Sequence, residues 1–222
     1  MKEFKYWAKL AVRSRKPSFL RWYFHWRDSL NGKRTPLSDG LPWIAYAAID
    51  WLSSHLTPEM TLFEWGAGGS TVFFSRHVKQ VVSIEHDPIW YEEISAIITK
   101  NAFNNVNLNL VKPEISNDIN FWHMSTVKDY QGFSFEKYVR AIDTYPDNSF
   151  DVVFVDGRAR PGCIRQAIPK IKTGGYLILD DSEREGYAIG LNLIPKNKDI
   201  RLSGPVPYVG WSKETRIMEV QK

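Results

Sequence analysis

At 222 residues, with 43% hydrophobic and 24% charged side chains, the chain has the size and composition of one folded domain and not of a disordered polymer. One cysteine, Cys163, excludes an internal disulfide, and the lack of any apolar run of about 18 residues excludes a membrane-spanning helix. The net charge of +4 is unevenly placed: residues 1–30 hold eight Lys or Arg against two acids, a local +6 over a remainder of −2.

In chain order, residues 1–39 read as a basic amphipathic helical arm and linker, and 40–222 as the main domain with an insert at 112–148. Phe4, Trp7, Ala8 and Ala11 share one helical face, and Phe19, Trp22, Tyr23, Trp26 and Leu30 share another. Pro17 separates the two, and Ser18 is placed to cap the second. Two readings stand for this arm. It docks on its own domain or on a second copy of the chain as a homodimer, or residues 1–30 contact an anionic membrane or RNA. A polar linker, Asn31 to Asp39, leads to a helix expected at 42–56 and a strand at 61–65.

The segment LFEWGAGGST, residues 62–71, has the form of a strand, a glycine turn and a helix start. The dinucleotide fingerprint G-x-G-x-x-G is met at Gly66 and Gly68, but its third position is Thr71. The acid Glu64, two residues before Gly66, gives a different pattern. It resembles motif I of the class I S-adenosylmethionine-dependent methyltransferases. That resemblance implies that Gly66, Gly68, Gly69, Ser70 and Thr71 wrap the methionine part of S-adenosyl-L-methionine, with Glu64 helping to hold it. It also implies a doubly wound α/β fold: a mostly parallel seven-stranded sheet, helices on both faces and an antiparallel last strand. The N-terminal helices are extra to that plan.

A second strand, expected at 80–85, ends in Glu85, 21 residues after Glu64. In doubly wound folds an acid about 20 residues on, at the tip of strand two, accepts hydrogen bonds from ribose hydroxyls. The family layout puts His86 on the adenine side, as a cofactor contact and a possible catalytic base, or as a packing residue. Asp87-Pro88 marks the start of a helix at 88–101. A third strand is expected at 106–111. The insert at 112–148 carries Phe121, Trp122, Tyr130, Phe133 and Tyr138 and a helix FEKYVRAID. Its length suits a cover over the ligand or an embellishment packed on itself. Strands at 150–155 and 175–179, a helix at 161–172 and a hairpin of 199–203 with 214–220 complete the pattern. Strands alternating with helices imply a parallel sheet covered on both faces.

Asp156 ends the strand at 150–155, and Asp180 and Asp181 end the strand at 175–179. Ligands in such sheets bind at the carboxyl ends of strands. The arrangement is similar to the metal-dependent catechol O-methyltransferase branch, which implies Mg²⁺ on Asp156, Asp180 and Asp181. Asp181 stands where that branch has asparagine, and Ala159 where it has lysine. The alternative is that these acids pair with arginine. Asp156 also counts as a cofactor contact. Asp156 or Asp181 is the expected base, and Arg158, Arg160 and Arg184 are placed to clamp an anionic acceptor. No N-P-P-Y-like segment is present, and Cys163 follows Pro161-Gly162, which is not a cytosine-methylating Pro-Cys loop.

The expected function is methyl transfer from S-adenosyl-L-methionine to a hydroxyl of a small-molecule or sugar-like acceptor. Two alternatives accompany it: a non-catalytic, RNA- or membrane-associated member of the fold, and a nicotinamide-dependent oxidoreductase. The expected location is cytoplasmic, peripheral to a membrane if the arm binds one.

Overall fold

Apolar runs buried on both faces place the central strands before any ligand is considered. In the computed structural model, which describes residues 2–14, 19–117 and 119–221, the chain begins with α1 (Lys2–Ser14), α2 (Phe19–Ser29), α3 (Pro36–Asp39) and α4 (Tyr46–His55). The alternating part follows: β1 (Thr61–Trp65), α5 (Gly69–Ser75), β2 (Gln80–Glu85), α6 (Pro88–Lys100) and β3 (Val106–Leu110). The insert contributes β4 (Glu114–Ile115), β5 (Phe133–Ser134) and α7 (Glu136–Val139). Then come β6 (Phe150–Val155), α8 (Arg160–Lys170), β7 (Ile171–Asp180), α9 (Ala188–Leu191), β8 (Lys196–Pro205) and β9 (Ser212–Val220).

The main sheet runs β3-β2-β1-β6-β7-β9-β8. β1, β2, β3, β6 and β7 pair in parallel, and β9 is antiparallel to both its neighbours. β9 therefore runs against the other six strands, as the resemblance implies. From β1 the chain builds outward to β3, then returns to the other side of β1 with β6. That reversal is a topological switch point, where α/β sheets open a crevice at the strand tips.

Successive residues of each strand serve opposite faces. Phe63, Trp65, Val153 and Val155 pack with Tyr138, Ile142, Cys163 and Ile164 on one side. Leu62, Phe154, Ile178 and Ile217 pack with Ile49, Leu52 and Phe74 on the other. The arm joins this second layer through Trp7, Tyr23 and Trp26. Trp26 Nε1 donates to Val209 O at 2.9 Å, and Trp22 Nε1 to Asp50 Oδ1 at 2.9 Å. Phe4, Tyr6 and Phe24 stay exposed on the outer face. Pro17 and the cap expected at Ser18 lie outside the described residues. No helix among the described residues is long and apolar enough to cross a membrane.

Some boundaries differ from the sequence reading. The linker contains a helical turn, α3, because Thr35 and Ser38 cap it reciprocally and Leu37 buries its side chain. The helix expected from residue 42 starts at Tyr46, where Ala45 N donates to Thr215 Oγ1 of β9 at 3.3 Å. The helix expected through residue 172 ends at Lys170, because Ile171 pairs with Phe150 and opens β7. The register then shifts before Tyr176 meets Val152, and Gly174, at φ +80°, lies in that irregularity. In the insert, α7 passes into a 3₁₀ turn over Arg140–Thr144 in place of a continuous helix.

Candidate functional site

A cavity of about 590 Å³ opens at the carboxyl ends of β1, β2, β6 and β7. Its size is that of a small-molecule site. Gly66 to Ser70 form one wall and Glu85, His86, Asp87 and Trp90 a second. Asp156 to Arg158, Arg160, Asp181 and Arg184 form a third, and Trp43, Trp211 and Lys213 stand at the far end. Tyr130 reaches in from the insert.

The glycine turn is shaped by close backbone approach. Gly66 has φ +94°, and a Cβ there would come within 2.8 Å of Gly157 Cα. A Cβ on Gly69 would lie 2.3 Å from Pro36 O and Leu41 O, so the arm linker presses directly on the turn. Trp90 Nε1 donates to Ala67 O at 2.7 Å and ties the turn to α6.

Glu64 holds the turn from behind. It is fully buried and accepts hydroxyls from Ser70, at 2.8 Å, and from Thr71 and Ser83. Thr71 Oγ1 in turn accepts Gly68 N at 2.9 Å. Neither Glu64 nor Thr71 lines the cavity; both brace the turn from inside the protein. The reason is the ring of three hydroxyls, which occupies the carboxylate inside the protein. Burial raises the Glu64 pKa from an ordinary 4.5 to about 7, against the pull of the Ser83, Thr71 and Ser70 hydroxyls.

Glu85 faces the cavity. Its Oε1 accepts His86 N at 2.7 Å and Asp87 N at 2.8 Å, and Oε2 has no donor among the described residues. Asp87 caps α6 through Ile89 N and Trp90 N, which fixes the start of that helix beside the acid. His86 is held by its neighbours. Its Nε2 accepts from Arg158 Nε at 3.4 Å and lies 2.9 Å from the Tyr130 hydroxyl. Nδ1 sits 2.8 Å from Glu85 Oε1, off the line of a good hydrogen bond. With its Nε2 lone pair engaged by Arg158 and Tyr130, His86 stands on the cavity wall.

The acids at the β6 and β7 tips are matched by protein cations. Arg160 Nη2 donates to Asp156 Oδ1 at 2.8 Å, and its Nη1 donates to Asp180 O. Arg160 Nε donates to Gly157 O at 3.1 Å. This guanidinium is buried and its donors are turned into the protein, so it ties β6 to β7 where an acceptor clamp was expected. Arg184 Nη2 lies 2.7 Å from Asp181 Oδ2 with half its side chain exposed, and Arg158 faces Tyr130 and His86. Lys213 Nζ is 3.1 Å from Asp180 Oδ2 and 2.9 Å from Asp181 Oδ1.

The Mg²⁺ expected on Asp156, Asp180 and Asp181 does not fit this donor set. Among the described residues no cluster of His, Cys, Asp or Glu is arranged to hold a metal ion. Six to eight oxygens are what Ca²⁺ takes, and Mg²⁺ requires near-octahedral oxygen. Here the carboxylate oxygens turn to ammonium and guanidinium groups instead.

These neighbours split the acids. Burial and the charge of Asp180 push Asp156 up to about 7, against Arg160 and Lys213. Burial likewise raises Asp180. Burial also acts upward on Asp181, but Arg160, Lys213 and Arg184 outweigh it and hold that carboxyl below its ordinary value. Asp156 keeps 22% of its side chain exposed and stands on the cavity wall, so it is the carboxyl of the three best poised to exchange a proton near neutrality.

Sequence reasoning missed Trp43, Trp90, Trp211 and Lys213 as site residues. Trp43 and Trp211 are respectively 41% and 60% exposed, which a core-seeking pattern does not flag. No local sequence pattern places Lys213 there; the β9 register does. Thr215 sits opposite Asp180, so Lys213, two residues earlier, shares its face just beyond the β7 tip.

No protein-family model and no curated protein sequence matches this chain. Solved structures do. An rRNA methylase from Streptococcus thermophilus superposes with a TM-score of 0.56 over 79% of this chain and 95% of its own, at 12% identity. A candidate methyltransferase from Streptococcus mutans, in complex with SAH, gives 0.54 over 78% and 96%, at 14% identity. A methyltransferase-like protein from Silicibacter pomeroyi gives 0.52 over 79% and 87%, at 23% identity. Strand order, the antiparallel β9 and the cavity at the switch point agree with these likenesses: the chain has the class I S-adenosylmethionine-dependent methyltransferase fold.

Proposed function

We propose that this chain is an S-adenosylmethionine-dependent methyltransferase that acts on a hydroxyl of a small-molecule or sugar-like acceptor. The observation that carries the reading is Glu85. One of its oxygens is fixed by two backbone N–H groups, and the other is open to a cavity whose opposite wall is the Gly66–Ser70 turn. That oxygen is suited to accept from the ribose hydroxyls. The Gly66 turn, held open by Glu64 from behind, leaves room for the amino-acid end. The Streptococcus mutans neighbour, whose structure contains SAH, supports the same choice of ligand.

S-adenosyl-L-methionine would supply an electrophilic methyl group, and the chain's own residues orient and deprotonate the acceptor. Asp156, on the wall and pushed up to about 7, would take the proton from the acceptor hydroxyl. Arg184 and Arg158 present guanidinium groups to anionic parts of the acceptor. Trp43 and Trp211 offer flat apolar faces to the cavity, which suits a ring. The rRNA methylase among the neighbours marks RNA as the acceptor to test against.

Calorimetry with S-adenosylhomocysteine tests the cofactor, and labelled methyl transfer to hydroxylated small molecules and to RNA tests the acceptor. Binding that is lost in Glu85→Ala supports the reading. Absence of binding in the unaltered chain overturns it.

A further inference from the structure

The β7 tip holds two carboxylates that a divalent cation would be expected to bridge, and a lysine already bridges them. Lys213 Nζ lies 3.1 Å from Asp180 Oδ2 and 2.9 Å from Asp181 Oδ1, with 15% of its side chain exposed. We propose that Lys213 is the resident cation of the acceptor end, in the position where divalent metal would sit, and that the site works with a fixed ammonium and excludes Mg²⁺ and Mn²⁺. The name acceptor end rests on the methyltransferase reading; the exclusion of metal does not.

Three features hold the ammonium there. The pairing of Asp180 with Thr215 places Lys213 on the same face of β9, two residues before Thr215. Thr215 Oγ1 donates to Asp180 Oδ1 at 2.8 Å, which turns the other oxygen, Oδ2, toward Lys213. Asp181 sits at φ +51°, a conformation uncommon for a residue with a side chain, and it delivers Oδ1 to the same ammonium. The Trp43 ring lies 5.1 Å from Nζ and adds a cation–π contact.

Charge balance argues the same way. Asp156, Asp180 and Asp181 face Arg160, Arg184 and Lys213, three carboxylates to three cations at ion-pair distances. A dication entering here would have to displace Lys213 and then sit beside two guanidinium groups, where like charges repel. Of the three cations, Lys213 alone bridges Asp180 and Asp181 side chains, so its removal is the change that would open a metal site. An ammonium carries three N–H donors. Two are taken by the aspartates, and the third is available to a ligand oxygen in the cavity.

The test is titration of the full chain with MnCl₂, read by electron paramagnetic resonance, for the unaltered protein, Lys213→Ala and Lys213→Arg. The unaltered protein and Lys213→Arg are expected to bind no Mn²⁺ tighter than roughly 100 µM, and Lys213→Ala to bind at least about tenfold more tightly than the unaltered protein. Tight stoichiometric Mn²⁺ on the unaltered protein overturns the proposal, whether or not the variants fold. Equal Mn²⁺ affinity with and without Lys213 also overturns it. Should Lys213→Ala fail to fold, Lys213→Gln supplies the same comparison with a neutral polar side chain. Calorimetry with S-adenosylhomocysteine on the same samples is judged separately, so loss of the cofactor reading and loss of this one are told apart.

Discussion

Gly66 and Gly157 meet backbone to backbone. A Cβ built on Gly66 would lie 2.8 Å from both the Cα and the N of Gly157, so the turn after β1 is packed against the tip of β6 with no room for a side chain. Gly66 N also donates to Ile84 O at 2.9 Å, which links the same turn to β2. One residue thus sets the spacing of three strand tips around the cavity.

Gly66→Ala is therefore expected to fail twice, by contact with Gly157 and by the positive φ. A destabilisation of roughly 1–3 kcal/mol follows from the backbone strain. Affinity for S-adenosylhomocysteine is expected to fall by more than about tenfold, since a 1.4 kcal/mol loss has that effect. Thermal unfolding and calorimetry measure the two. Unchanged affinity would show that the turn does not shape the ligand site.

Glu64 makes stability depend on pH. Its carboxyl titrates at about 7 in the folded chain against an ordinary 4.5. The folded state thus binds this proton more tightly than the unfolded state does. Its contribution is full below pH 4.5 and declines as pH rises toward 7, by roughly 3 kcal/mol in all. Glu64→Gln removes that slope. Chemical unfolding of both proteins at pH 5 and pH 7.5 checks this: the stability of the unaltered protein relative to Glu64→Gln is expected to fall between the two. A difference independent of pH would refute the assignment.

Asp156 is expected to act as base with an apparent pKa near 7. Methyl transfer should rise with pH through that value, because the ionised carboxylate takes the proton. Asp156→Asn is expected to lower the rate by roughly 100-fold and to flatten the rise, with affinity for S-adenosylhomocysteine little changed. A variant that keeps the pH profile would move the base elsewhere.

The arm is an integral layer of the molecule. Trp7 is 1% exposed and packs on Trp26, Tyr23 and Tyr46 at ring-centroid distances of 5.7, 6.3 and 5.6 Å. Trp7→Ala is expected to cost roughly 3–5 kcal/mol. Limited proteolysis would then cut within residues 1–30 faster than in the unaltered chain. Cutting at the same rate would mean the arm opens independently of this cluster.

Much of this protein is legible in one dimension, and the reason is periodicity. Apolar runs at 61–65, 80–85 and 150–155 locate strands because burial on both faces demands them, and the glycine turn and Glu85 locate the cavity because their spacing matches a βαβ unit. Local pattern cannot say where a side chain goes once several strand tips converge. Glu64 reads as a ligand contact, yet three hydroxyls from α5 and β2 claim it, because Ser83 is brought alongside by the parallel register of β1 and β2. Asp156, Asp180 and Asp181 read as metal ligands, yet Arg160, Arg184 and Lys213 neutralise them. Lys213 comes from a strand about thirty residues later, and only the antiparallel insertion of β9 beside β7 carries it to the site. Sequence by itself determined the fold and the glycine turn with Glu85 at the strand tips, which depend on short-range spacing. Tertiary structure decided the charge balance at the β6 and β7 tips, because that depends on which distant side chains the sheet register brings within a few ångströms.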